Sequence, residues 1–320
     1  MIRGPLANPT FRAQFSGHET FPLRHLWLKK AYDQVAAAKG GAAPKALFTD
    51  PEAIVTFGVG KNMVGSIRHW ALTCGILEED GDVFRTTALG DYLFADDSGV
   101  DPFLEAPTTL WLLHWMMAGT PDRSTTWFYV FNHLTVQTFD HEAIAAPLRD
   151  YREQQNARLK NKIRASDATI KRDVECFLRS YVTTRQRKFS DDLFEPALVP
   201  LGLIRAVSSK SYQFRRGAKP TLPDGIFLYA FHDFWMRHAP DQQTLSVEAL
   251  TFEPGSPGRV FKLDEDALVE RLARIEESSA GVYLWSDTAG VRNVARRFQS
   301  PDPMNFLASA YETAKQRSAA

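Results

Sequence analysis

The chain has little cysteine, no net charge and no long apolar run. Its only cysteines are Cys74 and Cys176, each in an apolar helical setting. Two such residues make neither a disulfide framework nor a zinc knuckle, and they fit a reducing cytoplasm. Lys and Arg number 38, and so do Asp and Glu. A neutral chain has no global pull toward nucleic acid, so DNA affinity has to come from local patches. No segment is apolar enough to span a bilayer and none reads as a signal peptide, so no membrane partner is expected. Low-complexity tracts are missing too. What remains is an ordinary soluble composition, 44% apolar over 320 residues, enough for two or three domains with sizeable cores.

The stretch from Asp50 to Phe94 organises the reading. Asp50-Pro51 is a helix start, with a side chain that can cap free N–H groups and a proline suited to the first turn. Gly58-Val59-Gly60 allows a sharp turn. A second helix is expected from about Lys61 to Cys74, capped by Gly75. Met63, Ile67, Trp70 and Cys74 form its apolar stripe. Asn62, Ser66, His69 and Thr73 repeat the same spacing one residue earlier, flanked by Lys61, Gly65 and Arg68. Such a face suits phosphates and base edges, so Lys61, Asn62, Ser66, Arg68 and His69 are DNA-binding candidates. Asp80-Gly81 marks a hairpin between Ile76-Leu77 and Val83-Phe84. Helix, turn, helix and hairpin together read as a winged helix-turn-helix; use for packing or protein contacts is the alternative.

Pro22 is expected to open a helix containing Leu26, Trp27 and Ala31, with His18 and Glu19 just before it. Those two residues suit a helix cap or, less specifically, a metal or phosphate site. Asp101-Pro102 begins another helical region. Leu110 to Met117 reads as core, and Trp127 to Phe131 as a buried helix rather than a platform for stacked bases. Residues 149 to 188 hold twelve Lys and Arg against five acids. A helix from Asp167 carries Arg172 and Arg179 opposite its apolar side, which suits phosphate contacts. Leu201-Gly202-Leu203-Ile204 echoes Cys74-Gly75-Ile76-Leu77, and Ser208 to Arg216 reads as a second wing tipped with Lys210, Arg215 and Arg216. Tyr283-Leu284-Trp285 is a short strand, and Asp287 to Gly290 is expected to lead into a helix bearing Arg292, Arg296 and Arg297. The fold class expected is mainly α with small β hairpins, multi-domain, built on winged helix-turn-helix units. The divisions are 1–100, 101–190 with the basic helix, and 191–320.

Three stretches, Phe15 to Arg24, Phe57 to Val64 and Thr86 to Gly90, resemble a bacterial family catalogued as a domain of unknown function. It is found beside DNA phosphorothioation genes and includes the B component of the Ssp system. The resemblance implies a role in single-strand DNA phosphorothioation for phage defence, in which this component nicks double-stranded DNA so that sulfur insertion can follow. Its implied partners are a cysteine desulfurase, an ATPase and an adenylating sulfurtransferase.

A nickase has to activate a nucleophile and stabilise charge on a phosphate, usually with carboxylates holding Mg²⁺. No paired-acid–lysine motif is present. His18 and Glu19 are the catalytic candidates, because they stand in a loop at a helix start. Asp173 with Glu175 diverge on a helix, and His232-Asp233 sits in an aromatic one. A nickase, a non-catalytic DNA-binding recruiter and a transcriptional regulator all fit the residues. A homo-oligomer is compatible with each, and the metal ligands stay unassigned.

Overall fold

The structure, a computed structural model, describes residues 2–160, 162–183, 196–288, 290–297 and 301–319. About half the chain is helical, and the strands form three small antiparallel sheets of three strands each.

The first sheet grows out of the Asp50–Phe94 stretch. Its elements run α1 (Trp27–Ala36), β1 (Ala42–Pro44), α2 (Ala53–Phe57), α3 (Lys61–Thr73), β2 (Leu77–Asp80) and β3 (Val83–Thr86). Asp50 starts α2 through its backbone, its carbonyl accepting from the Ala53 N–H; the expected side-chain cap does not form. Gly75 ends α3 as expected. Its φ is +67°, its N–H reaches the Leu72 carbonyl, and the Ile76 N–H reaches back to Ala71, so the last carbonyls of the helix are satisfied. A side chain there would also collide with Met116, 2.8 Å from an added Cβ. Gly81, at φ +57°, turns the hairpin that pairs Asp80 with Val83. Thr87 then caps α4 (Ala88–Phe94), its hydroxyl accepting from the Gly90 N–H at 2.9 Å. Pro22 does not open α1, which begins five residues later. The segment between packs against the rest of the chain instead, with Leu23's carbonyl accepting from Ala197.

Two apolar helices follow, α5 (Pro107–Ala118) and α6 (Thr125–Asn132). Every residue of α6 is buried, which rules out its aromatics as a base-stacking surface. Burial of each large side chain there contributes roughly 1.5–3 kcal/mol. Buried Asp101 starts α5 by accepting from the Glu105 and Ala106 N–H groups. Next come β4 (Thr138–Phe139), α7 (His141–Arg158), α8 (Asp167–Tyr181), β5 (Ile204–Ala206) and β6 (Tyr212–Phe214). The last part holds α9 (Asp224–His238), β7 (Thr244–Ser246), α10 (Val247–Phe252), α11 (Pro257–Val260), α12 (Glu265–Ala273), α13 (Ile275–Ser278), β8 (Tyr283–Thr288), β9 (Val291–Arg296) and α14 (Pro303–Ala319). Arg292 and Arg296 thus lie in a strand, not the expected helix. Gly290 at φ +78° turns the chain back, and Val291 pairs with Thr288.

One pattern recurs three times: a helix, an edge strand, helices, then a hairpin. In each sheet the third strand lies in the middle, giving β1-β3-β2, β4-β6-β5 and β7-β9-β8. Buried residues of all three parts join one hydrophobic cluster.

Candidate nucleic-acid interface

The segment Phe15–Arg24 does not cap α1; it lies on α3. The Phe21 carbonyl accepts from Trp70 Nε1 at 3.0 Å and from the Ser66 hydroxyl at 3.4 Å. Gly17 passes so close to His69 that an added Cβ would stand 2.5 Å from its Nδ1. Next to it, His18 is 4% exposed and stacks on Trp70, with ring centroids 5.9 Å apart. Its Nε2 meets Asp173 of α8 at 2.5 Å, and its Nδ1 accepts the Thr20 N–H at 3.1 Å. Asp173 is 2% exposed; its other oxygen takes the Thr126 hydroxyl. One buried imidazole therefore ties the loop, α6 and α8 together.

Burial works against charge on His18, but the Cys176 sulfur and the Asp173 carboxylate outweigh it and push its pKa up to about 10. The Thr20 N–H pulls the other way, since a ring nitrogen accepts only when unprotonated. A charge–charge contact in a dry interior is stronger than one amide bond, so the raised direction stands. His69 goes the opposite way: burial holds its pKa well below the ordinary 6.5, and neighbouring His18 adds to that. Glu19 and Thr20, at φ +46° and +67°, follow in the left-handed region, which costs about 1–3 kcal/mol each and persists only where surrounding contacts impose it.

This arrangement corrects the expected outer face of α3. Ser66 is fully buried and His69 is 5% exposed, because the Phe15–Arg24 loop occupies the face they share. Lys61 and Asn62 are exposed and Arg68 is half-buried, so only the start and one flank of the helix meet solvent. Glu19 is exposed. His18 is enclosed with both nitrogens engaged, and it has no route to a substrate.

On α8 the outer face is open. Lys171, Arg172, Glu175 and Arg179 are exposed and line a groove of about 750 Å³, closed on other sides by the α7 start and by Lys210 of the β5–β6 hairpin. Thr20 reaches the same groove, and its carbonyl accepts from Arg179 Nη2 at 2.5 Å. Arg215 and Arg216 follow β6 at the end away from the hairpin tip, because Phe214 pairs with Ile204. They do not tip the wing; Arg216 instead donates to Gln137 Oε1 at 3.0 Å. Arg185, Arg187 and Lys188 lie outside the described residues.

His232 and Asp233 are tied into the core. His232 Nδ1 meets the Tyr283 hydroxyl at 2.6 Å, and Asp233 accepts from Trp115 Nε1 at 2.8 Å and from Arg237 Nη2 at 2.9 Å. Among the described residues, no three His, Cys, Asp or Glu side chains stand together as a metal cage. The His18–Asp173 pair satisfies itself, and Asp173 and Glu175 point to opposite sides of α8, one buried and one exposed. The residues present therefore do not compose a magnesium site.

Buried tie and open basic groove recur with the fold across a family: the chain belongs to the proteins of unknown function DUF4007, whose model matches residues 15–311. Two solved structures are similar to it over nearly the whole length. One, described as a magnesium ion-bound SspB crystal structure, is 25% identical with a TM-score of 0.76 and covers 98% of this chain and 100% of its own. The other, an SspB crystal structure, is 26% identical with a TM-score of 0.75, covering 99% and 98%. No curated protein matches the chain.

Proposed function

We propose that this chain is the DNA-engaging component of a phosphorothioation-based phage defence system, and that it holds double-stranded DNA with winged helix-turn-helix units. The whole-length likeness to SspB supports the system. The helix–strand–helices–hairpin order, repeated with the same sheet order, supports the units. The observation that carries DNA contact is the α8 groove, where Lys171, Arg172 and Arg179 face Lys210 of the adjoining hairpin. A helix and a wing presenting cations to one channel suit two phosphate runs flanking a groove of the duplex. Positioned there, the chain delivers DNA to a cysteine desulfurase, an ATPase and a sulfurtransferase. Lys61, Asn62 and Arg68 supply a second, smaller contact. Among the described residues no helix is long and apolar enough to cross a membrane, which agrees with a partner list free of lipid.

Nicking is a second reading, favoured by the strained loop. Glu19 is an exposed carboxylate beside Thr20, which borders the groove. In this reading Glu19 takes the proton from an attacking water, and His18 is a positioning residue that fixes the loop through Asp173. No step is assigned to magnesium.

Supercoiled plasmid and a labelled duplex test both readings. Retardation of the duplex, lost in Arg172→Glu with Arg179→Glu, is the result expected for binding. Wild-type retardation by that variant overturns the groove assignment. Open circles that appear with the wild type and vanish in Glu19→Gln support nicking; intact plasmid with and without Mg²⁺ removes it.

A further inference from the structure

A second cleft, of about 600 Å³, opens between the N-terminal arm, the end of α6 and one side of α7. Its wall is built to stay open. Tyr151 donates to the Leu6 carbonyl at 2.7 Å and Gln155 to the Phe11 carbonyl at 2.8 Å, so these two α7 side chains hold the arm in place. One residue earlier on each turn, Asp150, Gln154 and Arg158 are exposed and form no hydrogen bond or ion pair with another described residue. They are spaced by four, so they rise along one stripe by about 6 Å per step and about 12 Å in all. On the inner side Tyr129 and His133 stack, with centroids 5.7 Å apart and an 18° tilt. His133 Nε2 is enclosed and has no hydrogen-bond partner among the described residues. Burial keeps that ring uncharged at neutral pH, its pKa lowered to about 4. Pro147, also lining the cleft, has no N–H to give the Ala143 carbonyl one turn back, which leaves an acceptor without its helical donor.

A carboxylate, an amide and a guanidinium in line, beside an aromatic floor with an unused nitrogen, match one ligand chemistry. We infer that this cleft binds a nucleoside monophosphate unit. The base lies against the Tyr129–His133 pair, with a ring nitrogen toward His133 Nε2. Asp150 accepts from an exocyclic amino group, and Arg158 pairs with the phosphate. Bases that carry an exocyclic amine are preferred over thymine, which has none. The unit comes either from a free mononucleotide or from a nucleotide everted out of a duplex. The inference does not rest on the α8 groove.

The test is titration of the full chain with dAMP, dCMP and dTMP, read by ligand-observed NMR, beside a duplex carrying 2-aminopurine. Binding of dAMP and dCMP, weaker for dTMP and weakened about tenfold or more in Asp150→Ala and in Arg158→Glu, is expected; a tenfold change is about 1.4 kcal/mol. Both substitutions are at exposed positions, so folding is preserved. Rising 2-aminopurine emission on binding identifies an everted nucleotide as the source, and steady emission alongside dAMP binding identifies the free one. Equal binding of dTMP, wild-type binding by both variants, or no binding of any nucleotide with silent 2-aminopurine overturns the assignment.

Discussion

Helices α3 and α8 occupy matching places, each the last long helix before the hairpin of its sheet, yet they meet solvent in opposite ways. On α3 the polar stripe of Ser66 and His69 is covered by the Phe15–Arg24 loop, and the buried bonds run from the helix to that loop. On α8 one polar residue, Asp173, turns inward to hold the same loop, while Lys171, Arg172 and Arg179 stay outside. The difference teaches that polarity along a helix reports an unmet hydrogen-bonding need, not exposure. Water, phosphate or another part of the chain can meet it, and in α3 the chain does so first.

The sharpest way to break this contrast is to cut the tie between the two helices. His18→Ala leaves the Asp173 carboxylate buried without its imidazole partner. Loss of one member of a buried pair costs about 3–5 kcal/mol, so a lowered urea midpoint is expected. The wild type should also show a pH signature. His18 titrates near 6.5 when unfolded and at about 10 in the fold. A raised folded pKa means that its stabilisation is complete below 6.5 and is lost as pH rises toward about 10. The urea midpoint should fall across that window, and His18→Ala should flatten the fall. A profile as steep in the variant as in the wild type would remove His18 as its source.

A smaller effect probes the covering loop alone. Gly17 sits at φ +118° with no space for a side chain beside His69. Gly17→Ala should cost about 1–3 kcal/mol and raise the reactivity of His69 toward a histidine-modifying reagent, because the loop lifts from α3. An unchanged midpoint together with an unmodified His69 would mean that the loop does not depend on this close approach.

Much of the fold is legible in the sequence where the signal is local. The α3 period, its stop at Gly75, the hairpin through Gly81 and the burial of α6 all follow from residues within a few turns of one another. Errors arise where a pattern has two local solutions. Val291 to Arg297 can alternate as a strand or group its arginines on a helix, and the pairing with β8 decides. Pro22 permits a helix start, but the segment is drawn off by contacts with Leu23 and Phe21. The site was less legible still. His18 and Asp173 are 155 residues apart, and nothing in a single sequence marks them as partners. Ser66 and His69 offered one hint, since Gly65 between bulky neighbours marks a place where another segment comes close; an added Cβ would meet Glu19 at 3.4 Å.

The finest test compares the two outer surfaces directly. Arg172→Glu changes an exposed residue of α8 in the groove, and Lys61→Glu an exposed residue at the start of α3. Neither touches the buried tie, so stability should hold in both. If phosphates run along α8, Arg172→Glu weakens duplex binding uniformly across sequences and lowers the salt slope by about 1. Lys61→Glu then produces a smaller loss, because most of the polar surface of α3 is already covered and fewer phosphates can be near it. Filter binding over a salt series measures both slopes. An equal loss from the two variants would place DNA across both helices; a larger loss from Lys61→Glu would make the start of α3, not the α8 groove, the principal contact.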